Sequence, residues 1–282
     1  MSPDASPAGR ADRDEPALRR LRDLVQQVRG IDLAVYKRSY LLRRLAVRQR
    51  AAGIPNLADY VARTAADPAE IAAFLHALTV NVSEFFRNPS LFRLLEEQLL
   101  PEQLAACARE RRPFQAWSAG CATGDEVYSI AILLARLGLP PAGAELLGTD
   151  LDSEAIAVAR AGAYEPGSLR EVPAAVLQAC FEPAPPPRSW KIRSPQAARI
   201  QFRVHDVLRA PPRRGQDLVL CRNLLIYLEP SLHETVLLHL AAALRPGGVL
   251  VLGRVERLSG AGRSLFEPID LRERTYRRAR GV

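Results

Sequence analysis

The sequence predicts an α/β protein, a Rossmann-like domain on a parallel sheet preceded by a small all-helical domain. Three observations carry this reading. Residues 17–78 repeat apolar side chains at three- and four-residue spacing, the mark of helices with one buried face. From residue 113 onward, short apolar runs alternate with helical stretches, which argues for parallel strands covered on both faces. The first of those runs passes through a glycine-interrupted turn, Gly120 to Glu126, directly into a helix.

The elements follow in order. Residues 1–16 are small, polar and proline-containing, and a disordered tail is expected. Leu18, Leu21, Val25 and Val28 form the stripe of a first helix that Gly30 stops. A second helix covers Leu33 to Ala52 and ends at Gly53; a third starts after Asn56, a suitable N-cap. Asp67-Pro68 opens a fourth, with proline at the first helical position. Residues 17–80 thus make a helical domain, 81–112 a linker, and 113–282 the α/β domain. Strands are expected at Phe114–Ser118, Glu145–Gly148, Ile200–Val204, Asp217–Cys221 and Val249–Leu252. Helices are expected over Asp125–Leu137, from near Ser153, and over Ser231–Leu244 before Arg245-Pro246-Gly247-Gly248. The stretch 181–199 is proline-rich and is expected to be an irregular insertion.

At 282 residues, 48% hydrophobic and 25% charged, the chain can bury a sizeable core. A formal charge of +8 suits an acidic partner, although an arginine-rich composition alone does not identify one. Four scattered cysteines without a CxxC pair argue against a disulfide framework and against a metal site. No signal-type or membrane-spanning run is present, so a cytoplasmic protein without membrane insertion is expected. In the second helix Lys37, Arg38, Arg43, Arg44, Arg48 and Arg50 face only Asp32, beside an apolar stripe of Leu41, Leu42 and Leu45. Charge alone leaves that face either solvated or docked to an acidic partner.

Open parallel sheets bind ligands beyond the carboxyl ends of their strands. The first expected strand is followed there by Gly120 and Gly124, where backbone can approach a ligand, and by the free N–H groups of a helix start. The second ends in Gly148-Thr149-Asp150, an acid able to accept from two ribose hydroxyls. The third ends in His205-Asp206, where an acid can meet an adenine amino group. A lone acid could equally cap a helix, as Asp152 or Ser153 could here. Three polar signals at three successive strand ends point to an adenosyl ligand. No phosphate-binding GxGxxG or P-loop is present, which favours S-adenosylmethionine over a dinucleotide, with Glu126 near its methionine ammonium or sulfonium.

Six blocks then bring a resemblance into view: GIDLAVYKRSYLLRRLAVR, NVSEFFRNPSLF, WSAGCATGDEVYSIA, GTDLDSEAIAVARAGAY, DLVLCRNLLIYLEP and LRPGGVLVLG. In this order, over Ala17 to Arg277, the chain resembles the chemotaxis receptor methyltransferases of CheR type. The resemblance implies a helical domain, a linker, and a Rossmann-like S-adenosylmethionine methyltransferase domain with a small β-subdomain inserted. It implies methyl transfer to glutamate side chains on the cytoplasmic helical region of chemoreceptors, leaving S-adenosylhomocysteine. By matching position it implies cofactor contacts from Asn81, Ser83, Arg87, Gly120, Glu126, Asp150, Asp206, Val207, Arg222 and Asn223. Arg87 and Tyr227 correspond to the pair nearest the transferred methyl, and Arg43, Arg44 and Arg48 to the receptor-docking helix.

The chain departs from the family pattern in places. Val127 replaces a usual proline, and Gly253-Arg254-Val255-Glu256 replaces a GHSE-like run, which leaves a substrate contact from that loop open. The insertion lacks the glycines of members that grip a receptor's terminal pentapeptide, so no such tether is expected. A related enzyme of another signalling array and a non-catalytic cofactor-binding regulator remain alternatives. A nucleic-acid methyltransferase is disfavoured, since neither an NPPY-like motif nor a catalytic cysteine context is present, and no nucleic acid is expected as partner.

Overall fold

The computed structural model describes residues 7–79, 83–193 and 199–280. The chain divides into a helical unit, Met1–Val80 with Tyr227–Glu229, and a sheet unit, Asn81–Ile226 with Pro230–Val282.

The helical unit contains α1 (Pro7–Arg29), α2 (Arg38–Ala52), α3 (Leu57–Ala66) and α4 (Pro68–Leu78), with a 3-10 turn at Leu33–Val35. The first helix begins well ahead of Ala17 and carries Pro16 in its interior. The Ala, Arg and Glu residues before Pro16 have high intrinsic helix propensity, which the absence of an apolar stripe concealed. Leu18, Leu21 and Val25 are fully buried, but Val28 is exposed. The expected second helix is split at Asp32–Lys37, where Asp32 caps the 3-10 turn through Ala34 N–H. Asn56 caps α3 through Asp59 N–H, and Asp67 caps α4 through Ala69 N–H with Pro68 behind it.

In the sheet unit Pro89–Leu94 (α5), a π-helical stretch at Leu95–Leu99 and Leu100–Arg109 (α6) lead into the sheet. The sheet has seven strands: β1 (Phe114–Ala119), β2 (Ala144–Asp150), β6 (Ile200–Val204), β7 (Gln216–Cys221), β8 (Leu244–Leu252), β9 (Phe266–Asp270) and β10 (Thr275–Arg278). Their order is β6-β2-β1-β7-β8-β10-β9. The first five are mutually parallel, and β9 and β10 add an antiparallel edge. The expected strands correspond to the five parallel ones; the final hairpin was not anticipated, because Glu267, Pro268 and the charged residues of β10 break any alternation.

Strand order reverses between β1 and β7, and the carboxyl ends there form the crevice in which such sheets bind ligands. The strands around it are buried on both faces: every residue of β7 is buried. The following helices α7 (Asp125–Arg136), α8 (Ser153–Ala161) and α10 (His233–Ala243) return the chain to the opposite edge. Between α8 and β6, α9 (Ala174–Cys180) and a three-stranded sheet form an insertion, with β3 (Ala163–Tyr164), β5 (Trp190–Ile192) and β4 (Phe181–Pro183) in that order. The stretch 181–199 is therefore not irregular throughout, since it contributes β4 and β5. Phe181 and Ile192, opposite each other in that ladder, are both buried.

Candidate functional site

The first side of the site is built by the segment Ser83–Asn88. Phe85 is fully buried, edge-on to Tyr164 at 4.8 Å and to Phe181 at 5.1 Å. Burying one phenyl ring contributes about 2 kcal/mol, and the segment is bonded besides. Phe85 N–H donates to Ser168 C=O at 2.9 Å and Phe86 N–H to Ser129 Oγ at 3.0 Å. Phe86 and Asn88 sit at φ +55° and +69°. That left-handed backbone costs a phenylalanine about 1 kcal/mol, and anchoring of this kind sustains it. Between them lies Arg87, half-buried.

The glycine turn forms the floor. Gly120 and Cys121 both donate their N–H to Thr149 C=O, at 2.8 and 2.9 Å, which ties the turn to the end of β2. Gly120 at φ +77° and Gly124 at φ +87° adopt the conformation that glycine alone takes without cost. A Cβ on Gly124 would also stand 2.9 Å from Ala159 Cβ. Asp150, largely buried, accepts Ala122 N–H on one carboxylate oxygen at 2.8 Å and Asp152 N–H on the other at 3.0 Å. Each oxygen keeps a further lone pair. Burial pushes its pKa up, against those N–H donors.

Arg222 and Glu126 tie the parts together. Arg222 Nη1 donates to Glu126 Oε2 at 2.9 Å, and Ser118 Oγ donates to Glu126 Oε1 at 2.8 Å. Arg222 Nη2 donates to the Arg87 carbonyl at 2.9 Å and to Asn88 Oδ1. One buried guanidinium thus joins the end of β7, the start of α7 and the Ser83–Asn88 segment. Asn223, at φ +58°, turns the chain, and a buried glutamate holds that turn. Glu256 accepts from Gly253 N–H at 2.6 Å, Asn223 N–H at 3.0 Å and Leu224 N–H at 2.8 Å. Burial raises the Glu256 pKa against these donors.

Asp206 and Val207 follow β6 on the same edge. His205 N–H donates to Asp150 C=O at 2.9 Å, and Asp206 accepts from Leu208 N–H at 2.9 Å. Trp117, edge-on to His205, donates Nε1–H to Thr149 Oγ1 at 2.9 Å.

Of the residues singled out from sequence, Ser83, Arg87, Gly120, Glu126, Asp150, Asp206, Val207, Arg222 and Asn223 all belong to this edge of the sheet unit. Asn81 lies outside the described residues. Ser118, Asn88 and Glu256 were not singled out as site residues, though Ser118 ends the first strand and Glu256 follows the first glycine after β8. Asp125 was missed as well. It is fully buried at the start of α7, with Thr123 Oγ1 donating to it at 2.5 Å. Burial lifts its carboxyl to about 6, and the Thr123 and Ser83 hydroxyls partly offset this.

The remaining candidates lie in the helical unit. Tyr227 stacks on Tyr40 with ring centroids 4.5 Å apart, and its carbonyl accepts Lys37 N–H at 2.9 Å. The Arg43 and Arg44 guanidiniums stand over the Tyr40 ring, at 5.5 and 5.4 Å from its centroid. Tyr40 donates its hydroxyl to the Leu78 carbonyl, and burial pushes its pKa up to about 12. Arg48 is engaged differently: it donates two hydrogen bonds to Glu70, at 3.1 and 2.8 Å, and Tyr60 donates a third at 2.7 Å. The basic residues of α2 thus meet more than Asp32, for Arg38 also lies 3.5 Å from Glu15. Those acids sit on α1 and α4, far from α2 in sequence.

The donor set of the crevice fits S-adenosylmethionine. Carboxylates at three successive strand ends would repel a pyrophosphate, whereas they suit ribose hydroxyls, an amino group and a cationic methionine portion. Among the described residues no group of His, Cys, Asp and Glu could hold a metal ion, and no helix is long and apolar enough to cross a membrane.

Comparison with known proteins places the chain in a family. Residues 81–274 match the CheR methyltransferase SAM-binding domain, and residues 16–79 the CheR methyltransferase all-alpha domain. A chemotaxis protein methyltransferase of Klebsiella aerogenes is 34% identical over 88% of this chain and 85% of its own length. Its counterpart in Salmonella typhimurium is 32% identical over 91% and 88%, respectively. Chemotaxis protein methyltransferase 1 of Pseudomonas aeruginosa is 30% identical over 84% and 89%.

Proposed function

The chain belongs to the CheR methyltransferase family and is an S-adenosylmethionine-dependent methyltransferase, and from that premise we propose that it methylates glutamate side chains of chemoreceptors. The supporting observation is the crevice itself: its carboxylates suit an adenosyl ligand, and the thiols beside it, Cys121 and Cys221, are buried and pushed up by that burial, so neither offers a general base. A glutamate acceptor needs none, because its carboxylate is ionised at neutral pH.

S-adenosylmethionine supplies a methyl group on a sulfonium; the acceptor oxygen bonds to that carbon, the S–C electron pair stays on sulfur, and S-adenosylhomocysteine leaves. The chain's task is to hold and desolvate both reactants in line. Asp150 would accept from the ribose, Asp206 and Val207 would meet the adenine, and Glu126 would face the methionine ammonium. Arg222 keeps Glu126 aimed. Arg87 would hold the acceptor carboxylate as a planar, permanently charged donor, and the Tyr227 hydroxyl would orient one of its oxygens. These two roles rest on the matching sequence blocks.

The docking face in this reading is α2. Arg43 and Arg44, splayed over Tyr40, would meet an acidic receptor helix, while Arg48 serves the helical unit through Glu70. Docking without a terminal pentapeptide tether and a cytoplasmic location complete the proposal. Tritiated methyl transfer to receptor-containing membranes tests it. The label should be lost in mild alkali, as an ester requires, and Arg87→Ala and Tyr227→Phe should both slow its appearance. Label stable to alkali would sink the ester assignment.

A further inference from the structure

Two loops meet at the carboxyl edge of the sheet beside the crevice. Gly253–Glu256 leaves β8, and Leu271–Arg274 joins β9 to β10. Because β10 runs antiparallel to β8, with Thr275 opposite Val251, both turns lie at the sheet end that carries Arg222 and Asn223. They are fastened to each other. Leu252 N–H donates to the Arg274 carbonyl at 3.0 Å, Arg274 Nε to the Arg254 carbonyl at 3.1 Å, and Arg254 Nη2 reaches Glu273 at 3.4 Å. Arg254 also donates to Ser90 at 2.8 Å, and Glu256 pins the first loop to Asn223 and Leu224.

What these bonds leave outward is unusual in combination. Val255 is 70% exposed and Leu271 60%, although a polar residue at either place would cost nothing in packing. A single exposed aliphatic needs no explanation. Two on mutually bonded turns, with Arg254, Arg257 and Arg272 exposed around them, form a surface of defined character. Glu273 pairs with Arg254, so the free charge of this surface is that of Arg257 and Arg272, neither of them ion-paired among the described residues. Glu256 is spent on three backbone N–H groups, Asp270 accepts the N–H of Arg272 and of Glu273, and Glu273 is buried against Arg254.

We propose that Val255, Leu271 and the arginines around them form a docking ledge for the acceptor-bearing segment of the protein substrate, an acidic helix with aliphatic residues at helical spacing. The inference rests on the proposed function for the nature of the acceptor. Its geometry follows from the ledge alone. Aliphatic contact fixes which face of a helix lies down, and guanidiniums draw in a glutamate-rich one. Glu256 couples the ledge to Asn223, so a helix seated there lies next to the crevice. The residues of the Gly253–Glu256 run that depart from the family pattern would then set which acceptor is read.

The full chain tests this with a fluorescein-labelled amphipathic peptide carrying paired glutamates and leucines at three- and four-residue spacing. The variants are Val255→Glu with Leu271→Glu, and Arg257→Glu with Arg272→Glu, all at exposed positions. Each pair should raise the peptide Kd about tenfold by anisotropy, leaving the melting temperature and the S-adenosylhomocysteine Kd at wild-type values. A peptide Kd unchanged in both pairs overturns the ledge, even if the wild type labels the peptide with alkali-labile methyl. Loss of binding in both pairs, with no alkali-labile label from the wild type, keeps the ledge and overturns the glutamate reading. Unchanged peptide binding with lost binding to phosphatidylserine vesicles would assign the surface to a membrane instead and overturns the proposal.

Discussion

Arg222 and Glu126 face each other at the carboxyl edge of the sheet, Nη1 to Oε2 at 2.9 Å, with side chains 5% and 14% exposed. They come from the end of β7 and the start of α7, so their bond fixes the distance between the two sides of the crevice. Through its other nitrogen Arg222 also holds the backbone of Arg87. Removing one member of a buried pair strands the other, at a cost of about 3–5 kcal/mol. Arg222→Met should therefore lower the melting temperature by several degrees and weaken S-adenosylmethionine binding by about tenfold or more. Glu126→Gln keeps the Ser118 bond and should weaken the cofactor with a smaller loss of stability. Calorimetric titration and thermal melts of both variants separate the two effects, and equal behaviour would contradict them.

Gly148 gives a second, steric prediction. It lies within β2, opposite Phe202 of β6, and a Cβ there would stand 2.6 Å from Phe202 Cδ1 and 3.0 Å from Cys121 Sγ. Gly148→Ala should cost about 1–3 kcal/mol by overpacking and, by pressing on Cys121, weaken cofactor binding. Phe202→Leu in the same chain should recover part of the loss. Denaturant melts of the two single variants and the double variant read the coupling directly, and purely additive losses would show that Gly148 is needed for another reason.

The arginines of α2 should behave differently from one another. Arg48 is bound twice by Glu70 in the helical unit, so Arg48→Ala should lower stability by about 1–2 kcal/mol. Arg43 is exposed above the Tyr40 ring. Arg43→Ala should leave the melting temperature unchanged and raise the KM for receptor membranes by a few-fold, less so at high salt because exposed charges are screened. An unchanged KM, or a variant-to-wild-type KM ratio that does not fall with salt, would remove Arg43 from the docking face.

How far these features could be read from sequence varies with the kind of interaction. The five parallel strands were legible because buried strands are continuous apolar runs, and the caps at Asn56 and Asp67 because their logic is local. The final hairpin was not, since its strands are largely charged. Asp150 was legible as an acid at a strand end, Glu126 from the glycine turn and Arg222 from the family resemblance, but their partners were not. Nothing in the sequence joins Arg222 to the Arg87 carbonyl, 135 positions away, or Glu256 to Asn223, 33 away. Likewise the pairing of Arg48 with Glu70 depends on how α2 and α4 pack, which charge counting along one helix cannot reveal.

Asp125 carries a pH dependence whose sign follows from its surroundings. Burial at the start of α7 raises its carboxyl from the ordinary 3.8 to about 6. The folded chain therefore holds that proton more tightly than the unfolded chain does. Between pH 4 and 6 folding takes up a proton, so the stabilisation from the protonated form is complete below about pH 4 and is lost as pH rises through 6. The change amounts to about 3 kcal/mol at most. Asp150 and Glu256 are shifted in the same direction by burial, so the wild-type curve contains their contributions too. Asp125→Asn removes one of them in isolation. Its stability should fall less steeply than the wild type's from pH 4 to 7, and at pH 7 it should gain relative to the wild type, since a buried charge is replaced by a neutral amide. Urea melts of both proteins across that range decide it, and parallel curves would mean that Asp125 is already ionised throughout.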